Sequence, residues 1–274
     1  MQQVAPPSPT LLACQKAAFL IFLLVWALNA TLLALRIDTG SSQWAETLLL
    51  LSAVVSSLLT LARRLPLQNV VMTAVLVASI SSVIFSVAVL SGIPLGPLTY
   101  LESFGLKLFG VLPWPIPLIW IVVLINARGV ARLIMRPWRK TNYYGFWVIG
   151  LACLLVVLFD LSLEPFAVYT KQFWLWHTPK WVWAWHTAPW VNFLGWFVTA
   201  LGILAFTTPW LINKQPVKQP MDYQPLILWL LLNGWMIAGN AQYHFWIAAG
   251  LSGFANLLVT IWTIRGAQWA QTEI

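Results

Sequence analysis

The sequence predicts an all-α bundle of about eight membrane-spanning helices, and three observations carry that prediction. Hydrophobic residues fill 60% of the 274 positions and charged residues only 8%, against about 25% charged in an ordinary soluble domain. Apolar runs recur along the whole chain at close to the roughly 20 residues needed to cross a hydrocarbon core, and mean hydropathy is +0.81. The basic residues between those runs gather in alternate connections. So few charges cannot build a water-exposed shell, which excludes a soluble enzyme, a secreted disulfide scaffold and a disordered tail together.

The apolar runs fall at about 16–35, 44–62, 69–91, 111–134, 144–164, 190–212, 224–239 and 243–264. They read as one integral membrane domain over residues 1–274, preceded by a flexible Pro-rich segment at 1–10. The opening MQQVAPPSPT has no basic region and no A-x-A site, so the first run is expected to be a retained helix. The seventh run is short and holds Asn233, Gly234 and Gly239. It reads either as a span or as half of a bent hairpin with the eighth, which would leave seven spans.

Eight spans put eleven of the fifteen basic residues on one side of the membrane: Lys16, Arg63, Arg64, Arg128, Arg132, Arg136, Arg139, Lys140, Lys214, Lys218 and Arg265. Arg36, Lys107, Lys171 and Lys180 fall on the other. Basic residues favour the cytoplasmic face, so both termini are expected there, in a bacterial plasma or thylakoid membrane. The acids divide the opposite way. Asp38, Glu46, Glu102, Asp160 and Glu164 lie outside, and Asp222 and Glu273 inside. The net charge of +8 is therefore read as topology and lipid contact, not as a nucleic-acid surface. Arg128 and Arg132, one turn apart, are expected to snorkel to headgroups. Cys14 and Cys153 sit inside apolar runs and read as small apolar residues rather than a disulfide.

One stretch fits no simple span: KQFWLWHTPKWVWAWHTAPW at 171–190, with six of the nineteen tryptophans and two prolines. Tryptophan prefers the interface, where its ring is buried and its N–H stays wet. The segment is expected to be interfacial or re-entrant on the outer side, either as an aromatic belt or as a lid over a flat, lipid-soluble ligand.

Asp160 and Glu164 in LFDLSLEPF are the strongest candidates for chemistry. Their spacing puts both carboxyls on one helix face, at the edge of an apolar medium. Desolvation and mutual repulsion favour a protonated acid there, which suits a general acid. Pro165 is expected to end that span. Asn192 enters the next span and needs a hydrogen-bond partner, and Gly195 permits close helix approach. His177 and His186 lie in the Trp-rich segment without metal-ligand spacing; either could ligate a pigment magnesium. No metal site, phosphate-binding glycine loop, G-x-S-x-G, CxxC pair or H-E-x-x-H is present in the sequence.

Three stretches together resemble the membrane carotenoid 1,2-hydratase family, the carotenoid biosynthesis proteins acting on γ-carotene or bisanhydrobacterioruberin. GIPLGPLTY (Gly92 to Tyr100) with LPWPIPLIW (Leu112 to Trp120) resembles G-x-P-F-G-x-Y-x-Y followed by P-x-x-I-P-L-x-W. DLSLEP (Asp160 to Pro165) is similar to D-x-x-L-D-P. FWLW (Phe173 to Trp176) and PWVNFLGW (Pro189 to Trp196) resemble F-W-x-W and P-x-x-N-F-x-G-W. They occur in family order across about 85–200. Phe85 stands where the family usually has a glutamate, Leu98 where it has a tyrosine, and His177 where it tends to have an acid.

The resemblance implies hydration of the terminal C1–C2 double bond of an acyclic ψ-end carotenoid, without a cofactor. Glu164 is then the expected acid, Asp160 its partner orienting water, and Asn192 a water-holding group. Tyr100, Trp120, Trp174, Trp176, Trp196 and Phe85 would line the substrate site, with tryptophan faces stabilising the cation. A second reading stays open: a non-catalytic carotenoid- or chlorophyll-binding subunit of a pigment–protein complex. A solute transporter would want a polar midplane, and the mid-span positions are read as almost entirely apolar.

Overall fold

A chain surrounded by hydrocarbon must satisfy its backbone hydrogen bonds within each segment, and the leucine-, valine- and alanine-rich runs do so as helices. The computed structural model describes residues 8–37, 43–212 and 221–269. It contains α1 (Pro9–Ala34), α2 (Trp44–Ala62), α3 (Leu67–Ser91), α4 (Pro115–Ile134), α5 (Tyr144–Pro165), α6 (Trp190–Leu211), α7 (Gln224–Gln242) and α8 (Trp246–Trp269). Seven helices among the described residues are long and apolar enough to cross a membrane, so the chain is an integral multi-pass membrane protein. Residues 1–7, Asp38, Lys214, Lys218 and Glu273 lie outside the described residues.

α1 starts earlier than the hydropathy pattern predicts. The Ser8 hydroxyl accepts from the Leu11 N–H at 3.1 Å and Pro9 opens the helix, a capping signal at the end of the Pro-rich segment. α7 is the helix that falls short by composition, yet it is no half-hairpin. Gln224 at its start meets Gln15 of α1 and Thr60 of α2, while Gln242 at its end donates to the Leu33 carbonyl, 3.0 Å away at the far end of α1. It runs antiparallel to α1 from one end of the bundle to the other. Protein rather than lipid surrounds much of it, so Asn233 and Asn240 are tolerated: both are buried and both donate to carbonyls.

α4 is central, packed against α2, α3, α5, α7 and α8. Its middle departs from the apolar expectation, because buried Asn126 donates across to Ser57 of α2 at 2.8 Å and back to the Val122 carbonyl at 2.7 Å.

The two ends of the bundle differ. At one, Arg63 and Arg64 face the buried Asp222 carboxylate at 3.6 and 3.7 Å. Arg128 does not snorkel: its guanidinium donates to the Leu211 carbonyl at 3.1 Å, one of the acceptors left open where α6 ends. At the other end the connections fold into short antiparallel pairs. β1 (Leu98–Tyr100) and β2 (Lys107–Leu108) come from the α3–α4 connection, as does β3 (Leu112–Pro113), which pairs with β2. β4 (Trp174–Trp176), β5 (Ala184–Trp185) and β6 (Ala188–Pro189) come from the α5–α6 connection. β1 pairs with β4, placing Tyr100 opposite Trp174 and Leu98 opposite Trp176.

The Trp-rich segment is thereby divided. Its first part is strand β4 over the bundle, and Trp174 is buried. The stretch before the β5–β6 hairpin projects outward, with Trp181 and Trp183 each 84% exposed, while the hairpin itself turns back, with Ala188 and Pro189 buried. Two close approaches seat these connections. Gly96 has a left-handed φ of 106°, and a Cβ there would lie 2.6 Å from the Pro189 ring. A Cβ on Gly195 of α6 would lie 2.6 Å from Leu95 and 3.0 Å from the Pro94 carbonyl.

α5 also departs from its expected end. The helix does not stop at Pro165; it continues as a π-helical turn over Phe166–Thr170. Proline has no N–H to give the Leu161 carbonyl, and the Trp185 indole takes that place at 3.1 Å. The Phe166 N–H turns to Leu163, and Asn240 of α7 donates to the Ser162 carbonyl at 2.9 Å. With its open carbonyls supplied from outside, the helix carries on into the loop region.

Gly195→Leu is expected to lower the melting temperature in detergent by several degrees, as overpacking costs about 1–3 kcal/mol. Gly202→Ala on the same helix, where a Cβ meets nothing within 4 Å, is expected to leave it unchanged. A thermal-shift series on the two variants checks both.

Candidate functional site

One turn apart near the end of α5, Asp160 and Glu164 face the same way and are 0% and 2% exposed. They are interior groups, not markers of the helix end, because the continuation through Pro165 carries α5 beyond them. A carboxyl in such surroundings requires donors. Asn192, in the first turn of α6, supplies them to both: its amide nitrogen lies 2.8 Å from Asp160 Oδ2 and 2.9 Å from Glu164 Oε1.

β4 supplies the rest. Trp174 and Trp176 are two residues apart on a strand and so point to one face. Their indole N–H groups reach Glu164 Oε2 at 3.1 and 2.7 Å. Glu164 thus accepts three N–H bonds, while Asp160 Oδ1 and the Asn192 side-chain oxygen have no hydrogen-bond partner among the described residues. The resemblance implies cation-stabilising faces for these tryptophans and a water-holding role for Asn192. In the structure the indole edges act as donors to the acid, and the amide bridges two carboxyls.

Glu164 and Asn192 form part of the wall of a cavity of about 20 Å³, room for roughly one water. Its remaining wall is largely aromatic and includes Phe85, Tyr100, Trp120, Trp174, Trp176 and Trp196. Trp120 and Trp196 stack at 4.7 Å, and Phe85 packs edge-on against both, at 5.6 and 5.9 Å. Phe85 therefore puts a ring into the acid cavity. Tyr100 packs against Trp174 and Phe104. Burial, reinforced by the nearby Glu164 and Asp160, holds its phenol well above the ordinary range, so the hydroxyl stays neutral.

Asp160 lies behind this cavity, reached through the Asn192 amide. The two histidines lie outside it. His177 is exposed and bonded to the Thr99 hydroxyl at 2.9 Å. His186 packs beside Tyr169, Trp185 and Phe245 at the loop end, where partial burial pulls its pKa down.

A second, larger cavity of about 150 Å³ escaped the sequence reading. It lies between α2, α4, α5 and α7, and Ile119 and Leu163 border both cavities. Trp185 and Asn240 were also not singled out. Pro165 was the signal for them, since its missing N–H announces an open carbonyl four residues earlier that some donor has to fill.

A family model described as carotenoid biosynthesis protein matches residues 44–259. This reaches past the stretch at about 85–200 that carried the motifs and takes in α2, α7 and much of α8. No curated protein and no solved structure matches the chain.

Trp176→Phe keeps the ring but removes the 2.7 Å donor to Glu164. A lost bond to a buried acceptor costs about 1–3 kcal/mol, so the melting temperature is expected to fall by several degrees. Trp181→Phe in the exposed stretch before β5 is expected to leave it unchanged. Differential scanning fluorimetry of the two purified variants checks the contrast.

Proposed function

We propose, from the premise that this chain belongs to the carotenoid biosynthesis protein family, that it hydrates the terminal C1–C2 double bond of an acyclic ψ-end carotenoid. Membership brings a role in carotenoid biosynthesis and a carotenoid as substrate or ligand. The reaction is our inference from the site. The observation that carries it is the Glu164 carboxyl on the wall of an aromatic cavity, held by three N–H donors.

Hydration of an isolated trisubstituted double bond needs a proton at C2 and a hydroxyl at C1. Glu164, protonated, gives its proton to C2 as the π bond breaks, leaving a tertiary cation at C1. The Trp174, Trp176 and Asn192 N–H groups are aimed at the carboxylate this step creates, so they favour the transition state over the neutral acid. Water then adds its oxygen to C1, and its surplus proton returns to the Glu164–Asp160 pair. Trp120, Trp196 and Phe85 wall the cavity on the apolar side. An aromatic face contributes about 2 kcal/mol to a desolvated cation. Neutral Tyr100 can donate to the incoming water. No oxidant, reductant or metal enters the balance. The charge distribution supports both termini on the cytoplasmic side, with the acid site toward the outer leaflet.

Phe85 favours a second reading, a carotenoid-binding subunit without turnover, because a ring replaces an acid beside the cavity. Expression in a host accumulating a ψ-end carotene separates the two. The wild type is expected to yield a 1-hydroxy product one water heavier by chromatography and mass spectrometry. Glu164→Gln is expected to abolish it, and Asp160→Asn to slow it by about 10²-fold or more. Unchanged carotene co-purifying with the wild type would overturn the hydratase reading in favour of the binding subunit.

A further inference from the structure

The acid cavity holds about one water, too little for the end of a polyene; the neighbouring cavity is several times larger. That well lies in the loop-end half of the bundle, walled by the start of α2, the first half of α4, the end of α5 and the second half of α7. Its lining is almost wholly apolar and includes the rings of Phe104, Phe159, Phe173 and Trp235. Its charged group, Glu46, is paired with Lys171, whose ammonium also lies 5.4 Å from the Trp235 ring. A void of about 150 Å³ lined mainly by such side chains has room for a benzene-sized apolar guest.

Among the described residues, two side chains, Ile119 and Leu163, line both the well and the acid cavity. Leu163 is the residue immediately before Glu164, so the partition and the acid belong to the same turn of α5. Hydrocarbon on one side of a thin aliphatic wall and a carboxyl on the other is the arrangement that an apolar chain with a reactive end requires.

We propose that this well is the binding site for the end portion of a linear, conjugated isoprenoid hydrocarbon, and that Ile119 and Leu163 are the gate through which its terminal double bond reaches Glu164. The well seats the terminal isoprenoid unit, and the rest of the chain stays in lipid. The binding half rests on family membership and the gate half on the hydration reading. The acid contacts the reacting carbons; Ile119 and Leu163 position them.

The test uses lycopene, an acyclic polyene with two ψ ends, added to the full-length protein in detergent and quantified by absorption after size exclusion. Ala53, buried in α2, lines the well, whereas Val55 two residues on is 49% exposed. Ala53→Phe is expected to reduce retained lycopene by at least about tenfold, since excluding even two CH₂-sized groups weakens binding that much. Val55→Trp and Glu164→Gln are expected to retain as much as the wild type.

Should Ala53→Phe fail to fold, Leu50→Cys in a Cys14→Ser background reads the same wall, with lycopene slowing maleimide labelling. Undiminished lycopene in Ala53→Phe, or unprotected labelling at position 50, overturns the well. Loss of binding in Ala53→Phe with no hydration by the wild type leaves the well standing and removes the hydratase. Hydration by Ala53→Phe at the wild-type rate removes the well and leaves the hydratase. For the gate, Leu163→Ala is expected to change kcat by a larger factor than it changes lycopene retention; a loss of retention with unchanged kcat overturns it.

Discussion

A single side-chain amide holds this site together. Asn192 divides its two N–H groups between two carboxyls that stand one turn apart in an apolar interior. Neither acid could be accommodated there without donors, because a buried carboxylate that lacks them is strongly disfavoured. The requirement spreads outward. α6 must begin beside the end of α5, and β4 must lie over both so that two indoles reach Glu164. The α3–α4 connection must pair with β4 to keep it there. The small residues Gly96 and Gly195 are what let those connections sit so close.

Pro165 adds a second tie between the same parts. By removing one N–H it opens the Leu161 carbonyl, and Trp185 closes it. Asn240 does the same for Ser162, which brings α7 into the arrangement. The end of α5 is thus linked by side-chain hydrogen bonds to the Trp-rich segment, α6 and α7 within little more than one turn. The aromatic segment divides into two parts: Trp174, Trp176 and Trp185 turn inward as donors, while Trp181 and Trp183 face out.

The helical architecture was readable because hydrocarbon leaves so few choices: a run of twenty apolar residues has one way to satisfy its backbone. The pairing of Asp160 with Glu164 was readable from helical periodicity, and a partner for Asn192 from the cost of a lone amide in lipid. Which partner it was could not be read, since α5 and α6 meet only in three dimensions. The end of α5 was misjudged because a proline rule speaks of the helix alone, and here outside donors override it. α7 hid for the opposite reason: a helix sheltered by protein has no need of high hydropathy, and composition is blind to shelter. The larger cavity had no sequence signal, because a void is defined by side chains from four helices that share no local pattern.

The proline in α5 has a biosynthetic consequence. The groups that satisfy its end, from Trp174 through Asn192 and Trp185 to Asn240, all lie downstream in the chain. While translation is in progress, α5 carries two acids and an open carbonyl that nothing yet made can satisfy. The hydrogen-bond set of α5 is therefore completed only once α6 and α7 have been made.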